Sequence, residues 1–326
     1  MTGGNRPGEF ELIARYFAPL AAANEGALGL MDDAALIGCR PGHRLVATVD
    51  ALVAGVHFLA RDPADLIARK LLRVNLSDLA AMGAEPSCYL LAISLPDDLD
   101  EEWFAAFASG LAADQAEYGV KLAGGDTTST PGALSLCLTA LGEVPDGAEI
   151  RRAGATPGQD IYVSGTIGDA ALAVRGLEER GGVLAADFAD RYRLPQPRVA
   201  LGPALRGIAS AAVDVSDGLV ADLGHICAAS GVAAELEMAC LPLSGAARAA
   251  LAADRSLAET VLTGGDDYEL LFTADAGQAG RLAELARALA IPLTRIGHTM
   301  AGAPVVTVTD KTGEAIPLKS AGYRHF

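Results

Sequence analysis

Apolar and polar positions alternate along the chain with two different periods, which predict helices and strands in turn. Near the start, Phe10, Ile13, Phe17 and Leu20 recur at helical spacing. Further predicted helices cover residues 65–82, 101–118, 168–179, 219–230 and 281–290. Predicted strands cover residues 45–52, 87–95, 120–125, 133–144, 161–165, 210–216 and 305–310, and residues 259–275 are predicted as a loop followed by a strand. This alternation is typical of α/β proteins, although periodicity alone does not separate parallel from mixed sheets.

A polar segment rich in Gly and Pro divides this pattern near the middle of the chain. Residues 146–160 read DGAEIRRAGATPGQD and carry no apolar periodicity. We therefore predict two domains, residues 1–146 and residues 147–326. Each is long enough to bury its own core.

The charge balance limits the partners of the protein. The formal net charge is −16, which opposes binding to nucleic acid or to an anionic membrane surface. Although 51% of the residues are hydrophobic, no apolar run reaches the roughly 18 residues that a membrane span needs. Glu9, Glu11 and Arg15 stand where a signal peptide would be apolar, so we expect a cytoplasmic protein. An anionic ligand would need divalent cations to offset the local field.

The five cysteines do not suggest a metal site or a disulfide framework. Cys39, Cys88, Cys137, Cys227 and Cys240 form no CxxC pair, and mostly apolar residues flank them. We predict buried, reduced thiols.

Aspartates follow several of the predicted strands. Asp50, Asp126 and Asp214 each come directly after an apolar stretch. Further acids are the Asp32–Asp33 pair and Asp78, which lies about one helical turn after Asn75. Any one of them has an ordinary alternative role, because Asp is common in turns and at helix N-caps. As a set at strand ends they predict a site for Mg²⁺, which prefers oxygen ligands.

Two glycine-containing motifs accompany these acids. Gly124–Asp126 reads GGD and allows close approach of a ligand to the backbone. Ser216, Asp217 and Gly218 stand where the next helix begins, so its N–H groups are predicted to face a phosphate. The alternative is a plain helix cap that binds no ligand. The sequence contains neither a Walker-type GxxxxGK[ST] loop nor a GxGxxG motif after a strand.

Seven motifs spread over residues 8–326 give a specific resemblance. They are GEFELIARYF, DDAAL, TVDALVAGVHF, NLSDLAAMGAEP, GGDTT, VSDGLVADLGHI and GGDDYELLF. In this order they resemble the thiamine-monophosphate kinases, which belong with aminoimidazole-ribonucleotide synthetase, selenophosphate synthetase and a hydrogenase-maturation protein. The resemblance implies an α/β (α+β) fold of two domains, each a mixed sheet with helices packed on it.

The resemblance also implies an activity and a set of site residues. The activity is direct transfer of phosphate from ATP to thiamine monophosphate, by a homodimer that uses several Mg²⁺ ions. The N-terminal domain would bind ATP and metal and form the dimer, and the C-terminal domain would complete the active site. The implied metal ligands are Asp33, Thr48, Val49, Asp50, Asp78, Asp126, Asp214 and Asp217, of which Asp50, Asp126 and Asp214 act in catalysis through metal. The implied nucleotide contacts are Gly125, Asp126, Arg152 and Ser216, and the implied substrate contacts are His57, Asp266 and Tyr323.

Two positions depart from the family pattern, and two rival functions stay open. Val49 stands where the family often has Thr, so it offers a metal only its carbonyl, and Asp266 stands where Glu is frequent. One rival is a superfamily synthetase that activates an amide or selenide. A selenophosphate synthetase would need a reactive Cys or its equivalent in a Gly-rich N-terminal segment, and Cys39 lies past the Asp32–Asp33 pair. The other rival is a non-catalytic acidic metal-binding or regulatory module.

Overall fold

The computed structural model describes residues 8–179 and 186–323 of the chain. Contacts divide the chain into two compact units, each with its own sheet. The first unit comprises Met1–Leu79 and Ala84–Asp146, and the second comprises Ala80–Gly83 and Gly147–Phe326.

The first unit is a four-stranded mixed sheet with two long helices. Its helices are α1 (Glu9–Leu12), α2 (Ala18–Ala21), α3 (Ala64–Ala81) and α4 (Glu101–Tyr118), with a π-helical segment Ile13–Phe17 and a 3₁₀ segment Glu25–Leu30. Its strands are β1 (His43–Val53), β2 (Glu85–Leu95), β3 (Lys121–Ser129) and β4 (Ser135–Pro145). The sheet order is β1-β4-β2-β3. The β1–β4 and β4–β2 pairs are antiparallel and the β2–β3 pair is parallel.

Helices α3 and α4 pack closely and share a buried ion pair. Leu72 and Leu76 of α3 and Phe107 of α4 are fully buried. The Asp114 carboxylate, also fully buried, accepts two bonds of 2.8 and 2.9 Å from the Arg73 guanidinium. A bidentate pair of this kind leaves neither buried charge uncompensated.

The second unit is a six-stranded, mostly antiparallel sheet. Its helices are α5 (Asp169–Glu179), α6 (Ala186–Arg193), α7 (Leu201–Ala204), α8 (Leu219–Ser230), α9 (Gly245–Ala253), α10 (Leu257–Thr263) and α11 (Ala279–Leu289). Its strands are β5 (Asp160–Ser164), β6 (Ala209–Asp214), β7 (Ala233–Glu237), β8 (Leu270–Ala274), β9 (Leu293–Met300) and β10 (Val306–Thr309). The order is β10-β7-β9-β5-β8-β6, with β10 and β7 parallel. In its core Tyr162 stacks on Phe272 with ring centroids 5.6 Å apart.

The strongest patterns in the sequence predicted their elements closely. Helices α4 and α8 have the predicted bounds, and Gly119 and Gly231 end them in the left-handed conformation, each with φ of 69°. The prediction of a loop before β8 was wrong, because Leu257–Thr263 forms helix α10. Among the described residues, no helix combines the length and the apolar character needed to cross a membrane.

The five cysteines are free, but they are not all buried. Cys88 and Cys227 are buried, and Cys137 and Cys240 are half-buried. Cys39 is exposed, so the prediction of burial was wrong there. Its thiol donates to the carbonyl of His43, within the turn that leads into β1.

The contact between α3 and α4 depends on a residue without a side chain. We predict that Gly110→Ala destabilises the protein by about 1–3 kcal/mol, because the added Cβ would overpack the contact. That atom would lie 2.2 Å from the backbone oxygen of Asp65. In Gly224→Ala, within α8, the added Cβ has nothing within 4 Å. This control should gain about 0.5–1 kcal/mol from helix propensity. Thermal melting of both variants measures the difference, and equal shifts would contradict the close contact.

Candidate active site

Three of the predicted metal ligands meet where β1 faces α3. Thr48 and Asp50 are two residues apart on β1, so their side chains share one face of the strand. The hydroxyl of Thr48 donates to Asp78 Oδ2 of α3 over 2.5 Å. Burial, and then the negative charge of Asp78, raise the pKa of Asp50 to about 6. The structure thus brings two carboxylates and a hydroxyl together.

The donor set around Asp78 suits a hard cation. Asn75, fully buried one turn earlier on α3, donates to the carbonyl of Leu71. Its side-chain oxygen is a buried acceptor with no hydrogen-bond partner among the described residues. Two carboxylates close enough to repel and an amide oxygen without a donor both favour a divalent cation. These oxygens fit the predicted Mg²⁺ chemistry.

His57 lies in the turn after β1 with a fixed ring orientation. The backbone N–H of Val53 donates to His57 Nδ1 over 3.0 Å. The ammonium of Lys70, itself buried, donates to the carbonyl of His57 over 3.0 Å. Because Nδ1 accepts a hydrogen bond, the proton of the neutral ring resides on Nε2. Nε2 of the neutral ring is therefore a donor atom.

A second group of predicted residues lines a cavity of about 560 Å³ in the same unit. Asp33 and Asp126 supply acidic groups to its wall, and Gly124 and Gly125 supply backbone. The rest of the wall is mostly aliphatic, including Leu90 of β2. This combination of apolar wall and few polar groups is typical of small-molecule sites.

Gly125 has a structural role in addition to the predicted one. A Cβ at this position would lie 1.9 Å from the backbone oxygen of Leu91 on the neighbouring strand β2. The glycine is thus required for the β2–β3 contact itself. Its presence in the sequence is not by itself a sign of a ligand.

Sheet order keeps Asp50 and Asp126 in separate groups. Asp50 lies inside β1, not at its end as predicted, and Asp126 lies inside β3. Strands β4 and β2 lie between them. Neither Thr48, Asp50 nor Asp78 lines the cavity that Asp33 and Asp126 line. The expectation that strand-end carboxylates converge at one edge is therefore wrong for the sheet of a single chain.

In the second unit, the loop from β6 to α8 carries Asp214, Ser216 and Asp217. Asp214 ends β6 as predicted and is 3% exposed. The backbone N–H groups of Ser216, Asp217 and Gly218 all donate to Asp222 Oδ2, over 3.0 to 3.1 Å. A carboxylate of the same chain therefore occupies the N–H groups of these three loop residues, and the predicted contact between the start of α8 and a phosphate stays a prediction. Burial and the Asp217 charge raise the pKa of Asp222 to about 7.

Two further segments meet this loop and bring four predicted residues together. The N–H of Asp266 donates to the carbonyl of Ser216 over 3.0 Å, and that of Tyr323 donates to the carbonyl of Asp217 over 2.9 Å. Asp266 and Tyr268 both have positive φ, 71° and 50°. The Tyr268 hydroxyl donates to Asp266 Oδ1 over 3.2 Å. Left-handed residues other than Gly concentrate at functional sites, which agrees with the predicted role of Asp266.

A buried ionic network, which no motif in the sequence predicted, holds the Asp266 segment. Glu269, fully buried, accepts hydrogen bonds from Arg191, Arg198 and the hydroxyl of Ser164. Asp267, equally buried, accepts the backbone N–H of Gly168. Burial raises the pKa of Asp267 well above its ordinary range. The partners lie 71 to 105 residues apart along the chain, so no local spacing signals them.

Arg152 and Val49 stand apart from these groups. Arg152 is exposed, and its backbone carbonyl accepts from the hydroxyl of Ser230. The described residues show no hydrogen bond between its guanidinium and the loops at Ser216 and Asp266. Val49 is 59% exposed on β1 and alternates with Thr48 and Asp50. Their implied roles stay predictions.

Comparison with known proteins identifies the family. The chain matches the AIR synthase related protein family in both domains, the N-terminal domain at residues 31–144 and the C-terminal domain at residues 156–309. It is 46% identical over 301 residues to thiamine-monophosphate kinase from Caulobacter vibrioides, covering 91% of this chain and 85% of that relative. The chain belongs to the thiamine-monophosphate kinase family.

Solved structures of thiamine-monophosphate kinases share the fold over nearly the whole chain. The crystal structure from Stenotrophomonas maltophilia K279a is 47% identical, with a TM-score of 0.84 that covers 95% of this chain and 98% of that one. The structure of AaThiL complexed with AMPPCP and TMP is 28% identical, with a TM-score of 0.77 that covers 92% of this chain and 97% of that one. These matches confirm the predicted fold class of two AIR-synthase-like domains with mixed sheets.

The raised pKa of Asp50 gives this kinase family member a pH-dependent stability. The pKa rises from 3.8 to about 6 on folding, so ionising Asp50 costs stability above pH 6 and costs none below pH 4. We predict that Asp50→Asn raises the melting temperature of the Mg²⁺-free protein at pH 8. The gain should be much smaller at pH 4, close to the unfolded-state pKa of 3.8, where Asp50 is protonated in the folded state and only partly ionised in the unfolded state.

The control is Asp146→Asn, which removes an exposed acid of the same unit. Asp146 pairs with Arg44, and both side chains are more than half exposed. Such pairs contribute little, so this variant should change the melting temperature only slightly at either pH. A gain in Asp50→Asn that is equal at pH 4 and pH 8 would contradict the assigned pKa.

Proposed function

We propose that this protein phosphorylates thiamine monophosphate with ATP, yielding thiamine diphosphate and ADP. The observation that carries the proposal is the similarity to AaThiL complexed with AMPPCP and TMP, at 28% identity over 92% of this chain. AMPPCP is an ATP analogue that cannot transfer its terminal phosphate, so that complex contains an analogue of the phosphate donor. The 46% identity to the Caulobacter vibrioides enzyme supports the same activity.

Magnesium ions are part of this proposal. When bound, Mg²⁺ would neutralise phosphate charge and so reduce the repulsion between two polyanionic substrates. The oxygens around Asp78 and Asn75 fit it, because they include two mutually repelling carboxylates and a buried acceptor without a donor. The residues that would hold such ions are, in the first unit, Asp33, Thr48, Val49 through its carbonyl, Asp50, Asp78 and Asp126, and, in the second unit, Asp214 and Asp217.

The chemistry of the acceptor removes the need for a general base. A phosphate monoester has a second pKa of about 6 and is mostly dianionic at neutral pH, so it attacks in that form. His57 suits this scheme, because its Nδ1 accepts the Val53 N–H and the proton of the neutral ring therefore lies on Nε2. We assign His57 to contacting the acceptor, as the resemblance to the family implies. Transfer is then direct and in line, without a phosphoenzyme.

The remaining assignments follow the groups that the structure brings together. In the second unit, Ser216 contacts the nucleotide, while Asp266 and Tyr323 contact thiamine monophosphate. The supporting observation is that the Ser216 and Asp217 carbonyls accept the N–H groups of Asp266 and Tyr323. In the first unit, Gly125 and Asp126 contact the nucleotide at the cavity. Arg152 adds its guanidinium fork to a phosphate, which is chemistry that this side chain performs well.

Asp214→Asn tests the function and this assignment together. The wild-type protein should form thiamine diphosphate from thiamine monophosphate, ATP and Mg²⁺, measured directly by chromatography. Asp214→Asn removes one charge at nearly constant shape, so turnover should fall about a hundredfold or more, the order seen when a preorganised electrostatic group is lost. Its melting temperature should not fall.

The control for Asp214→Asn is Asp254→Asn, an exposed aspartate of the same unit after α9. It should retain full turnover. Near-normal synthesis by Asp214→Asn, or inactivity caused by unfolding, would remove Asp214 from the site. Absence of thiamine diphosphate with the wild-type protein would contradict the function itself.

We also propose that the protein is a homodimer that pairs through the first unit. Strands β2 and β4 are largely apolar runs, but they are the inner strands of the sheet. Exposed apolar side chains lie instead on edge strand β1, where Leu45 is 44% and Val49 59% exposed. A second copy covering this strand would bury them.

Light scattering at micromolar concentration tests the dimer. The wild-type protein should show twice the mass of the single chain, and Leu45→Glu should shift it toward the monomer. Leu36→Glu changes an equally apolar residue that is 70% exposed outside β1, and it should leave the mass unchanged. A monomeric wild-type protein would rule out the dimer.

A further inference from the structure

Three consecutive backbone N–H groups converge on one carboxylate oxygen where β6 turns into α8. Asp222 Oδ2 accepts from Ser216 over 3.0 Å, and from Asp217 and Gly218 over 3.1 Å each. Asp222 lies in the first turn of α8 and is 2% exposed. Successive N–H groups of this kind form a concave nest that binds an anion. Here the anion belongs to the chain itself.

We propose that Asp222 is a positioning residue for the loop at residues 214–218. It holds the donors of the loop inward, so that the carboxylates of Asp214 and Asp217 and the hydroxyl of Ser216 are presented for the metal and nucleotide. This inference rests on the proposed function. Nothing in the resemblance to the kinase family assigned a role to Asp222.

The orientation of the loop extends to its neighbours. With the N–H groups turned toward Asp222, the carbonyls of Ser216 and Asp217 are left to accept the N–H groups of Asp266 and Tyr323. The Asp222 carboxylate thereby orients the two carbonyls to which Asp266 and Tyr323, the predicted substrate residues, are bonded. If Asp222 is removed, three N–H groups lose their acceptor and the loop must reorganise.

Close packing leaves the loop little alternative space. A Cβ at Gly265 would lie 2.0 Å from the Ser216 oxygen, and one at Gly322 would lie 2.7 Å from the Asp217 oxygen. Gly218 has φ of 122° and would place a Cβ 2.7 Å from the backbone of Thr263. The loop therefore cannot move toward these segments without a clash. We infer that its position also depends on the three bonds to Asp222.

A metal-ligand role for Asp222 is the rival explanation. Ligand atoms of Asp217, Asp222 and His225 all lie within 4.8 Å of one another. The positioning role and the metal-ligand role predict opposite results for Asp222→Asn. An amide keeps a carbonyl oxygen that can accept from the three N–H groups, whereas it is a poor replacement for an anionic ligand. Positioning requires that Asn substitutes well, and metal ligation requires that it fails.

The experiment compares Asp222→Ala and Asp222→Asn with Asp169→Asn. Asp169 is a buried acid in the first turn of α5, which accepts bonds from the hydroxyls of Thr166 and Ser244. Hydrogen exchange of the metal-free proteins measures protection of the amides at residues 216–218. Calorimetry measures the affinity for AMPPCP with Mg²⁺. The wild-type protein is the reference for both.

The expected results distinguish a role of the Asp222 acceptor oxygen in positioning the loop from a role of the negative charge of Asp222. Asp222→Ala should lose protection at these amides and bind AMPPCP at least about tenfold more weakly, since small misplacements of site groups have large effects. Asp222→Asn should keep the protection and stay within about threefold of wild-type affinity, because the acceptor oxygen is retained. Asp169→Asn should match the wild type in both measurements.

Several outcomes would overturn the inference. Retained protection or wild-type affinity in Asp222→Ala would do so, as would a large loss of affinity in a fully protected Asp222→Asn. If Asp222→Ala does not fold, Asp222→Asn decides, and its failure to fold or to bind while Asp169→Asn binds overturns the inference. A wild-type protein that binds no AMPPCP, or forms no thiamine diphosphate, contradicts the proposed function instead.

Discussion

The path of the loop between β6 and α8 depends on one carboxylate oxygen. Asp222 Oδ2 accepts hydrogen bonds from three backbone N–H groups that would otherwise have no partner at the start of the helix. The same bonds turn the loop carbonyls outward, and Asp266 and Tyr323 attach to them. A sequence motif, VSDG, therefore has its conformation set by a residue outside it. The placement of the Asp214 and Asp217 carboxylates therefore depends on the hydrogen bonds to Asp222.

The fold was predictable where local signals agreed with one another. Helix α8 has apolar residues at helical spacing and a glycine directly after it, and both its ends were predicted correctly. Helix α10 was missed, because its sequence LAETVLT contains β-branched residues and precedes two glycines, which together favour a loop. Strands β7 and β9 were also missed. The sheet around them, rather than their own pattern, determines their conformation.

The residue types of the site were predictable from the sequence, but their grouping in space was not. Asp50, Asp78 and Thr48 were expected to act together, and the structure brings them into contact. Asp50 and Asp126 were expected to converge, yet β4 and β2 separate their strands. Strand order follows from pairing between distant segments, which periodicity within one segment does not encode. For the same reason the sequence indicates which residue types bind metal, but not which of them share an ion.

The hardest distinction from sequence is between acids that hold the fold and acids that serve the site. Asp114 and Glu269 are fully buried, and each has guanidinium partners that compensate its charge. Asp50 differs, because its pKa is raised, first by burial and then by a neighbour that is itself a carboxylate. A folded chain keeps such repulsion only where something else compensates it, and local conflicts with stability are typical of functional sites. In the sequence all three are simply acids among apolar residues. The sign of the partner charge, which only the structure supplies, tells these three apart and identifies Asp50 as a place where a cation would stabilise the protein.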